Sequence, residues 1–388
     1  MKILKYMDKW LLLISTILFA IGLVMVFSAS NVASFMRYKV SPYHFIIRQA
    51  AFLLLGIVFS LVVIRFSTKV YGFLSWPGLI AITVVLALVL AYGKIAGGAS
   101  SWIQLGPFRF QPSEFAKVIM IVWIASFYDI NRNNLNRYST ALFPLLICGI
   151  IVVLLMLEPD LGTAIIFAGI VGFLFVIVPI DLKIKVRTVL ITIAIGLAGI
   201  GILIGQGKNL FFQHQVQRLD FSNPCSESKF YKEGNQVCNG YIALNNGGLL
   251  GKGLGNSTQK YLYLPDSHTD FIYPIIVEEL GAVFATAIIF LYVLLLSRII
   301  IIAHNSNNNR NAIMCYGVAF YIFLHIVVNL MGVLGMMPMT GVPLPFLSYG
   351  GSFTICLVVA LTIVQRVAIE NNTKKLSKNK GNWYIKVE

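Results

Sequence analysis

Ten runs of predominantly apolar residues, each roughly 20 residues long, divide this chain of 388 residues. A helix of that length can cross the hydrocarbon core of a bilayer. Hydrophobic residues make up 58% of the chain, charged residues make up 12%, and the mean hydropathy is +0.82, which leaves too little polar surface for a water-soluble globule. The sequence therefore predicts an all-α polytopic membrane protein with ten transmembrane helices, at about 10–29, 45–64, 70–92, 113–129, 140–157, 161–179, 188–206, 271–297, 312–335 and 348–366.

The distribution of the 30 Lys and Arg residues predicts the orientation of these helices. With the N-terminus inside, 18 of them fall in cytoplasmic segments, six in short segments on the other side, and six in the long polar segment before Asp270. Positive charges accumulate in short cytoplasmic loops, so both termini are predicted to be cytoplasmic. The same bias accounts for the formal net charge of +15, and no nucleic-acid partner is expected.

The chain is predicted to form one transmembrane domain, 1–370, followed by a basic cytoplasmic tail, 371–388. The segment at about 207–270, between the seventh and eighth runs, is predicted to be one large extracellular loop. The first run follows three lysines, as the apolar part of a signal peptide would. It is long for that role and nine further runs follow it, which indicates a retained helix.

Five cysteines fall into two groups. Cys148, Cys315 and Cys356 lie in apolar runs and are predicted to be small buried side chains. Cys225 and Cys238 share the large loop, where an oxidising environment would allow a disulfide, but free thiols are an equally open alternative. No CxxC motif or Cys/His cluster predicts a metal site.

The outer segment before the fourth run contains a first group of polar residues. Its glycines and prolines exclude a continuous helix before Pro112, which suits the first position of a helix. Glu114 then lies in the first turn, and Lys117 follows on the same face, as a structural ion pair or as part of a substrate site. Arg109, in a loop with aromatic residues, is a candidate for binding a phosphate.

Two further polar segments have alternative interpretations. Glu158 and Asp160 are either solvated in a turn or directed into the cavity that Glu114 faces, and Thr163 is predicted to cap the next helix. The run Gly251-Lys252-Gly253-Leu254-Gly255 is too rich in glycine for a helix. Its glycines either supply flexibility or expose N–H groups that cradle a pyrophosphate with the nearby lysines. The spacing of a P-loop is absent.

Asp270 lies where the large loop meets the eighth apolar run. An unpaired carboxylate at the edge of hydrocarbon costs several kcal/mol, which makes this residue a functional candidate. Pro274 is tolerated only in a first helical turn, so Asp270 is placed at the mouth of the helix, as a general base or as an N-cap. Of Glu278 and Glu279, two turns deeper, at least one is predicted to face the protein interior.

Prolines and glycines between 335 and 353 interrupt the helical pattern at membrane depth. Non-helical backbone at that depth must be buried in protein or line a cavity. This segment is therefore predicted to contribute to a site.

Four motifs follow one another along the chain: GxxxWIxLGxxxxQPSExxK, EPDLGT, GxGLGNSxQKYxYLPxxHTDFI with a later EELG, and PxTGxPLPFxSYGGS. Together with the ten runs they resemble the SEDS family (shape, elongation, division, sporulation) of peptidoglycan glycosyltransferases. The resemblance covers the chain up to the basic tail, and its details are closer to division-type than to elongation-type members. Ser101 and the Tyr273-Pro274 pair depart from the usual family pattern.

The resemblance implies polymerisation of lipid II into glycan strands at the outer face of the bacterial cytoplasmic membrane. Asp270 matches the family's essential acid and would be the general base, with inversion at the donor sugar and release of undecaprenyl pyrophosphate. The charge of that leaving group requires Arg109, Lys117 and Lys252, or a divalent cation such as Mg or Mn. The other predicted substrate-binding residues are Glu114, Glu158, Asp160, Lys260, His268, Glu279 and Ser348.

The resemblance also implies partners: a class B penicillin-binding protein acting as transpeptidase, other divisome proteins, and membrane lipid. Three alternatives remain open. The protein could be an elongation-type polymerase, a noncatalytic scaffold of the division machinery, or a lipid II flippase, since broken helices and charges at membrane depth also suit alternating access. Clustering of the charges on one face and the absence of an inverted repeat favour the enzyme.

Overall fold

The computed structural model describes residues 4–92, 94–96, 99–105, 108–158, 160–205, 223–226, 234–265, 267–306 and 308–384. The helices are α1 (Lys9–Met36), α2 (His44–Val63), α3 (Thr68–Tyr92), α4 (Pro112–Ile130), α5 (Tyr138–Leu157), α6 (Leu161–Ile177), α7 (Leu182–Gly205), α8 (Asn235–Gly247), α9 (Ile272–His304), α10 (Asn309–Val333) and α11 (Gly351–Tyr384). The strands are β1 (Lys94–Ala96), β2 (Ala99–Leu105) and β3 (Phe108–Phe110).

A helix occurs at each of the ten apolar runs. Among the described residues, seven helices are long and apolar enough to cross a membrane: α1, α2, α3, α5, α9, α10 and α11. The apolar helix α6 has only 17 residues, and α4 carries Glu114, Lys117 and Asp129 within 19 residues. The polytopic helical architecture is therefore confirmed, whereas the count of ten spans stays a prediction.

The expectation of an all-α protein is wrong for the segment between α3 and α4, which forms a three-stranded antiparallel sheet in the order β1-β2-β3. Lys94 pairs with Trp102, and Gln104 pairs with Arg109. Trp102 and Ile103, like the Phe residues of β3, belong to the residue types that strands favour. The glycines and prolines prevent a helix in this segment, and the residues between them pair as strands instead.

The eighth apolar run is a broken helix. Gly281 in α9 has φ 83° and ψ 165°, which no helical residue adopts. The polar backbone groups around the break must be satisfied within protein at this depth. The segment 248–253 provides their partners: Lys252 N donates to Glu278 O (2.9 Å), Gly253 N to Glu279 O (2.8 Å), Ala282 N to Gly248 O (3.0 Å) and Val283 N to Leu249 O (3.2 Å).

Helix α8 packs directly on the first half of α9. A Cβ added at Gly247 would lie 2.1 Å from the carbonyl oxygen of Val277, so the two backbones are in contact. Cys238 of α8 forms a disulfide with Cys225, which joins this helix to an earlier part of the large loop. The other three cysteines are buried free thiols, as predicted.

Both ends of the chain meet at one end of the bundle. Arg298 of α9 donates through Nε (3.0 Å) and Nη2 (2.6 Å) to the carboxylate of Asp8, which also caps α1. Gln365 of α11 donates to the carbonyl oxygen of Asp8 (2.8 Å), and Asn372 donates to that of Tyr6 (2.9 Å). The first and last helices are therefore joined directly.

Replacing Gly281 by alanine should destabilise the protein. The new Cβ would lie 2.3 Å from the carbonyl oxygen of Leu249, and the backbone conformation is one that only glycine adopts without strain. We expect a loss of about 3 kcal/mol, measured by thermal unfolding in detergent. Gly149→Ala in α5 is the control, because nothing lies within 4 Å of its added Cβ. Equal unfolding temperatures for the two variants would contradict a structural role for the break.

Candidate active site

Asp270 lies just before α9, at a cleft also lined by Asn329, Thr340 and Gly341. Its side chain is half-buried and accepts a hydrogen bond from the hydroxyl of Thr269 (3.0 Å). The N-cap of α9 is Phe271, which makes no side-chain cap hydrogen bond, so the alternative of Asp270 as N-cap is wrong.

Asn329 of α10 holds the backbone on both sides of this cleft. Its side-chain amide donates to the carbonyl oxygen of Asp270 (2.8 Å) and to that of Val342 (2.8 Å). Val342 belongs to the segment that the prolines and glycines were predicted to keep non-helical, and residues 338–344 are irregular, as expected. One side chain thus fixes Asp270 relative to this segment.

A buried cluster of Glu114, Lys117 and His325 lies near this cleft, and His325 is one turn of α10 before Asn329. The ammonium of Lys117, whose side chain is 1% exposed, lies 2.8 Å from Glu114 Oε1 and 3.1 Å from His325 Nε2. It also lies 5.6 Å from the ring centroid of Tyr321, and His325 stacks on Phe353 at 4.7 Å. His325 precedes Asn329 by four residues, so the two side chains share one helix face. The Lys117 cluster and Asp270 are therefore connected through α10.

His325 was missed by sequence reasoning. The available signal was a lone histidine within an apolar run, since ionisable residues inside membrane helices are commonly functional. Its significance depends on Lys117, which lies 208 residues earlier in the chain. Only the fold brings the two side chains together.

Asp160 connects α6 to α4. It accepts from the backbone N–H of Thr163 (3.1 Å), and is therefore the N-cap that the sequence had assigned to Thr163. Its other oxygen accepts from Gln111 Nε2 (3.0 Å), the residue before α4. A Cβ at Gly162 would lie 2.6 Å from the carbonyl oxygen of Thr340, so the start of α6 also touches the irregular segment beside Asp270.

Glu158, at the end of α5, is completely buried, so the interpretation as a solvated turn is wrong for this residue. Neither carboxyl oxygen has a hydrogen-bond partner among the described residues. Burial, and then the negative charge of Asp160, raise the pKa of Glu158 to about 8. The group therefore holds its proton at neutral pH.

Three further residues that the sequence predicted to bind substrate are His268, Ser348 and Arg109. His268 is buried against the ring of Phe45 (4.3 Å between centroids), and its carbonyl oxygen accepts from Tyr349 N (2.8 Å). Ser348 is buried, and its hydroxyl accepts from Leu344 N (2.8 Å), which closes a turn of the irregular segment. Arg109 is exposed on β3, where its charge is accessible to a ligand.

Glu278 and Glu279 form a second buried cluster, so the expectation that at least one faces the interior is confirmed. Lys260 lies 2.8 Å from Glu279, which also accepts from Ser28 of α1. Lys252 lies 3.2 Å from Glu278. Glu278 also accepts hydrogen bonds from Asn246, Ser257, Thr258 and Gln259.

The glycine-rich run serves this second cluster. The N–H groups of Lys252 and Gly253, which a pyrophosphate cradle would use, donate to carbonyl oxygens of α9. For these two amides the phosphate hypothesis is wrong. Gly251, Gly253 and Gly255 all have positive φ, and a Cβ added at Gly251 would lie 2.5 Å from the backbone nitrogen of Gly281.

Within the described part of the chain, no group of three or more His, Cys, Asp or Glu residues has the arrangement of a metal site. Many of the acidic residues there pair with a lysine or an arginine, and Asp160 caps a helix. We therefore assign no residues to a divalent cation.

Fold and site together define a polytopic helical membrane protein. In it the half-buried carboxylate of Asp270 lies near buried networks of charged side chains. Residues 9–373 match the FtsW/RodA/SpoVE family, described as cell cycle protein, and the chain belongs to this family. It is 36% identical over 372 residues to a probable peptidoglycan glycosyltransferase FtsW of Coxiella burnetii, covering 94% of this chain and 96% of the relative. It is 33% identical over 387 residues to the Bacillus subtilis protein of the same name, covering 96% and 94%.

Solved structures share the fold. A chain from a peptidoglycan synthase complex, described as coordinating polymerization and crosslinking, aligns with a TM-score of 0.73 at 26% identity, covering 94% of this chain and 98% of that one. The rod shape determining protein RodA of Thermus thermophilus aligns with a TM-score of 0.65 at 25% identity, covering 93% and 96%.

Breaking the buried pair of Glu114 and Lys117 should be more harmful than removing it. Glu114→Leu leaves a buried ammonium without its carboxylate, and we expect a loss of about 3–5 kcal/mol. The double variant Glu114→Leu/Lys117→Met removes both charges and should recover most of that loss. Thermal unfolding in detergent measures both. A single variant as stable as the double variant would show that the pair is not desolvated.

Glu158 should make stability depend on pH. An unfolded glutamate has a pKa near 4.3, so between about pH 5 and pH 8 the folded protein retains a proton that the unfolded chain releases. Stability should therefore fall as the pH rises through this window. Glu158→Gln should lose the slope and exceed the wild-type unfolding temperature at pH 8, whereas the exposed control Asp181→Asn should keep it. A wild-type slope in Glu158→Gln would contradict the assignment.

Proposed function

We propose that this protein is a peptidoglycan glycosyltransferase that polymerises lipid II into glycan strands during cell division. The observation that carries the proposal is the placement of Asp270: a half-buried carboxylate at a small cleft, with its backbone fixed through Asn329 to the helix that carries His325. Membership of the FtsW/RodA/SpoVE family, and relatives named FtsW along the whole chain, support the same activity.

In this proposal Asp270 is the general base. The acceptor GlcNAc 4-hydroxyl loses its proton to the Asp270 carboxylate as its oxygen attacks the anomeric carbon of the donor MurNAc. The bond from that carbon to the pyrophosphate breaks, so one displacement inverts the configuration and releases undecaprenyl pyrophosphate. The Thr269 hydroxyl, 3.0 Å from Asp270 Oδ1, limits the directions in which the carboxylate can accept a proton.

The three basic side chains proposed to stabilise the leaving pyrophosphate differ in their exposure to solvent. Arg109 is exposed and Lys252 is partly exposed, and both can approach the leaving pyrophosphate from solution. Lys117 is almost fully buried and contributes through the field of its cluster with Glu114 and His325. No step is assigned to a divalent cation.

The proposed placement has ten spans, both termini in the cytoplasm and the loop at about 207–270 on the outer face. The positive-inside distribution of Lys and Arg supports it. So does the Cys225–Cys238 disulfide, which suits an oxidising compartment. Asp270 then faces the side on which glycan strands are assembled.

The proposed partner is a class B penicillin-binding protein, within a larger division complex. The similar chain of solved structure belongs to a peptidoglycan synthase complex that coordinates polymerization with crosslinking, which supports a crosslinking partner here. Exposed Tyr261 and Tyr263 in the large loop provide aromatic surface of the kind that interfaces use.

Asp270→Asn should abolish polymerisation while preserving the fold. A general base contributes about 10²- to 10⁴-fold, so the rate on labelled lipid II should fall at least about 100-fold. The assay uses full-length protein with a candidate partner in detergent and separates the glycan products by size. Asp181→Asn, an exposed aspartate outside the site, should retain the wild-type rate.

Wild-type polymerisation by Asp270→Asn would refute the role of the base. Transport of lipid II across liposomes by wild-type protein that makes no glycan would instead support the flippase.

A further inference from the structure

A second polar cavity lies at the opposite end of the helices from Asp270, where the two chain ends meet. It is formed by the start of α3, the start of α10 and residues 366–373 of α11. Its charged lining residues are Lys69, Arg310, Arg366 and Glu370, which leaves a net charge of two positive units. The cavity therefore favours an anion.

The carboxylate of Glu370 already accepts hydrogen bonds from protein groups, so it is not available to pair with every cation of the cavity. It accepts from the backbone N–H (2.9 Å) and hydroxyl (2.8 Å) of Thr68 at the start of α3, and from Asn311 Nδ2 (3.0 Å). Arg366 Nε lies 3.3 Å from Oε1, the oxygen that also accepts from the Thr68 N–H. Glu370 thus binds the start of α3 and pairs with Arg366. Lys69 and Arg310 are the cavity cations that it does not pair with.

Arg310 is incompletely paired. Its side chain is only 11% exposed, and the Nε group has no acceptor among the described residues. The carboxylate of Asp129, which does not line the cavity, lies 3.9 Å from Nη1. Even if Asp129 offsets one charge, one positive unit remains. The accessible part of the Arg310 guanidinium lines the cavity, and the Asp129 carboxylate is too distant for a hydrogen bond, so an anion in the cavity would find this charge incompletely neutralised.

The face of α3 below Lys69 is apolar and faces outward. Phe73, Trp76 and Ile80 follow Lys69 at helical spacing, and Phe73 is 81% exposed. Trp76 and Ile80 also line an apolar groove between α3 and α5. From Lys69 to Ile80 the helix rises about 16 Å, close to the roughly 15 Å thickness of one leaflet. A cationic cavity and a hydrocarbon groove therefore lie in line on one helix face.

We propose that this face binds an anionic phospholipid. Its phosphate would lie among Lys69, Arg310 and Arg366, and one acyl chain would occupy the groove between α3 and α5. The lipid belongs to the cytoplasmic leaflet, which rests on the proposed orientation. The site is separate from glycosyl transfer at Asp270 and is tested without that activity.

The test is native mass spectrometry of the full-length protein titrated with phosphatidylglycerol. The variant Lys69→Gln/Arg310→Gln should weaken binding by about 25-fold, or about fivefold for each cation. Lys183→Gln, an exposed lysine at the start of α7 outside the cavity, should bind as wild type. Ile150→Trp, at an exposed groove position, should weaken phosphatidylglycerol binding by filling the groove.

Inorganic phosphate separates a lipid from a soluble anion. If inorganic phosphate binds as well as phosphatidylglycerol, and Ile150→Trp does not change binding, the ligand is a soluble anion and the proposal is wrong. Equal binding of phosphatidylcholine and phosphatidylglycerol, or unchanged binding by the double variant, would also overturn it. Should the double variant fail to fold, the exposed Lys69→Gln alone decides, with about fivefold weaker binding expected and wild-type binding contradicting the site.

Discussion

The backbone of α9 cannot complete its own hydrogen bonds at Gly281, and a neighbouring segment of the chain is arranged to complete them. Within an apolar surrounding, every N–H and C=O needs a protein partner, so a break in a helix requires another segment against it. Residues 248–253 are that segment. Their close path explains both the glycines of the large loop and the packing of α8 on α9. Residues 235–253 are consequently packed against α9 rather than standing apart from it.

The two buried clusters have different relations to this break. Glu278 and Glu279 immediately precede it and hold the loop and α1 in place. The pair of Lys117 and Glu114 lies across the bundle, and α10 connects it to the backbone of Asp270 through His325 and Asn329. The short first half of α9 therefore extends from Asp270, tied to α10, to the glutamates, tied to the loop. This arrangement fixes a half-exposed acid on an otherwise irregular stretch of chain.

Much of this could be predicted from the sequence, because the strongest signals are local. Apolar runs predicted the helix positions, and Pro112 correctly predicted the start of α4. The burial of Glu278 and Glu279 followed from the cost of exposing a charge to lipid. The break at Gly281 could not be predicted, since the surrounding residues remain apolar and a single glycine is tolerated in a helix. His325, the capping by Asp160 and the isolation of Glu158 depend on residues distant in sequence, and so required the fold.

The contacts of α1 also have a consequence for biogenesis. Its carboxylate cap binds Arg298, its Ser28 binds Glu279, and a Cβ at Gly22 would lie 2.0 Å from the carbonyl oxygen of Phe346, so these three contacts all join it to the last third of the chain. Because synthesis proceeds from the N-terminus, α1 enters the membrane well before any of these partners exists. It then has α2 as a neighbour but must wait for α9 to complete its polar contacts, and its high apolarity suits that interval. Assembly of this protein is therefore completed late at α1, whose polar contacts depend on segments made much later.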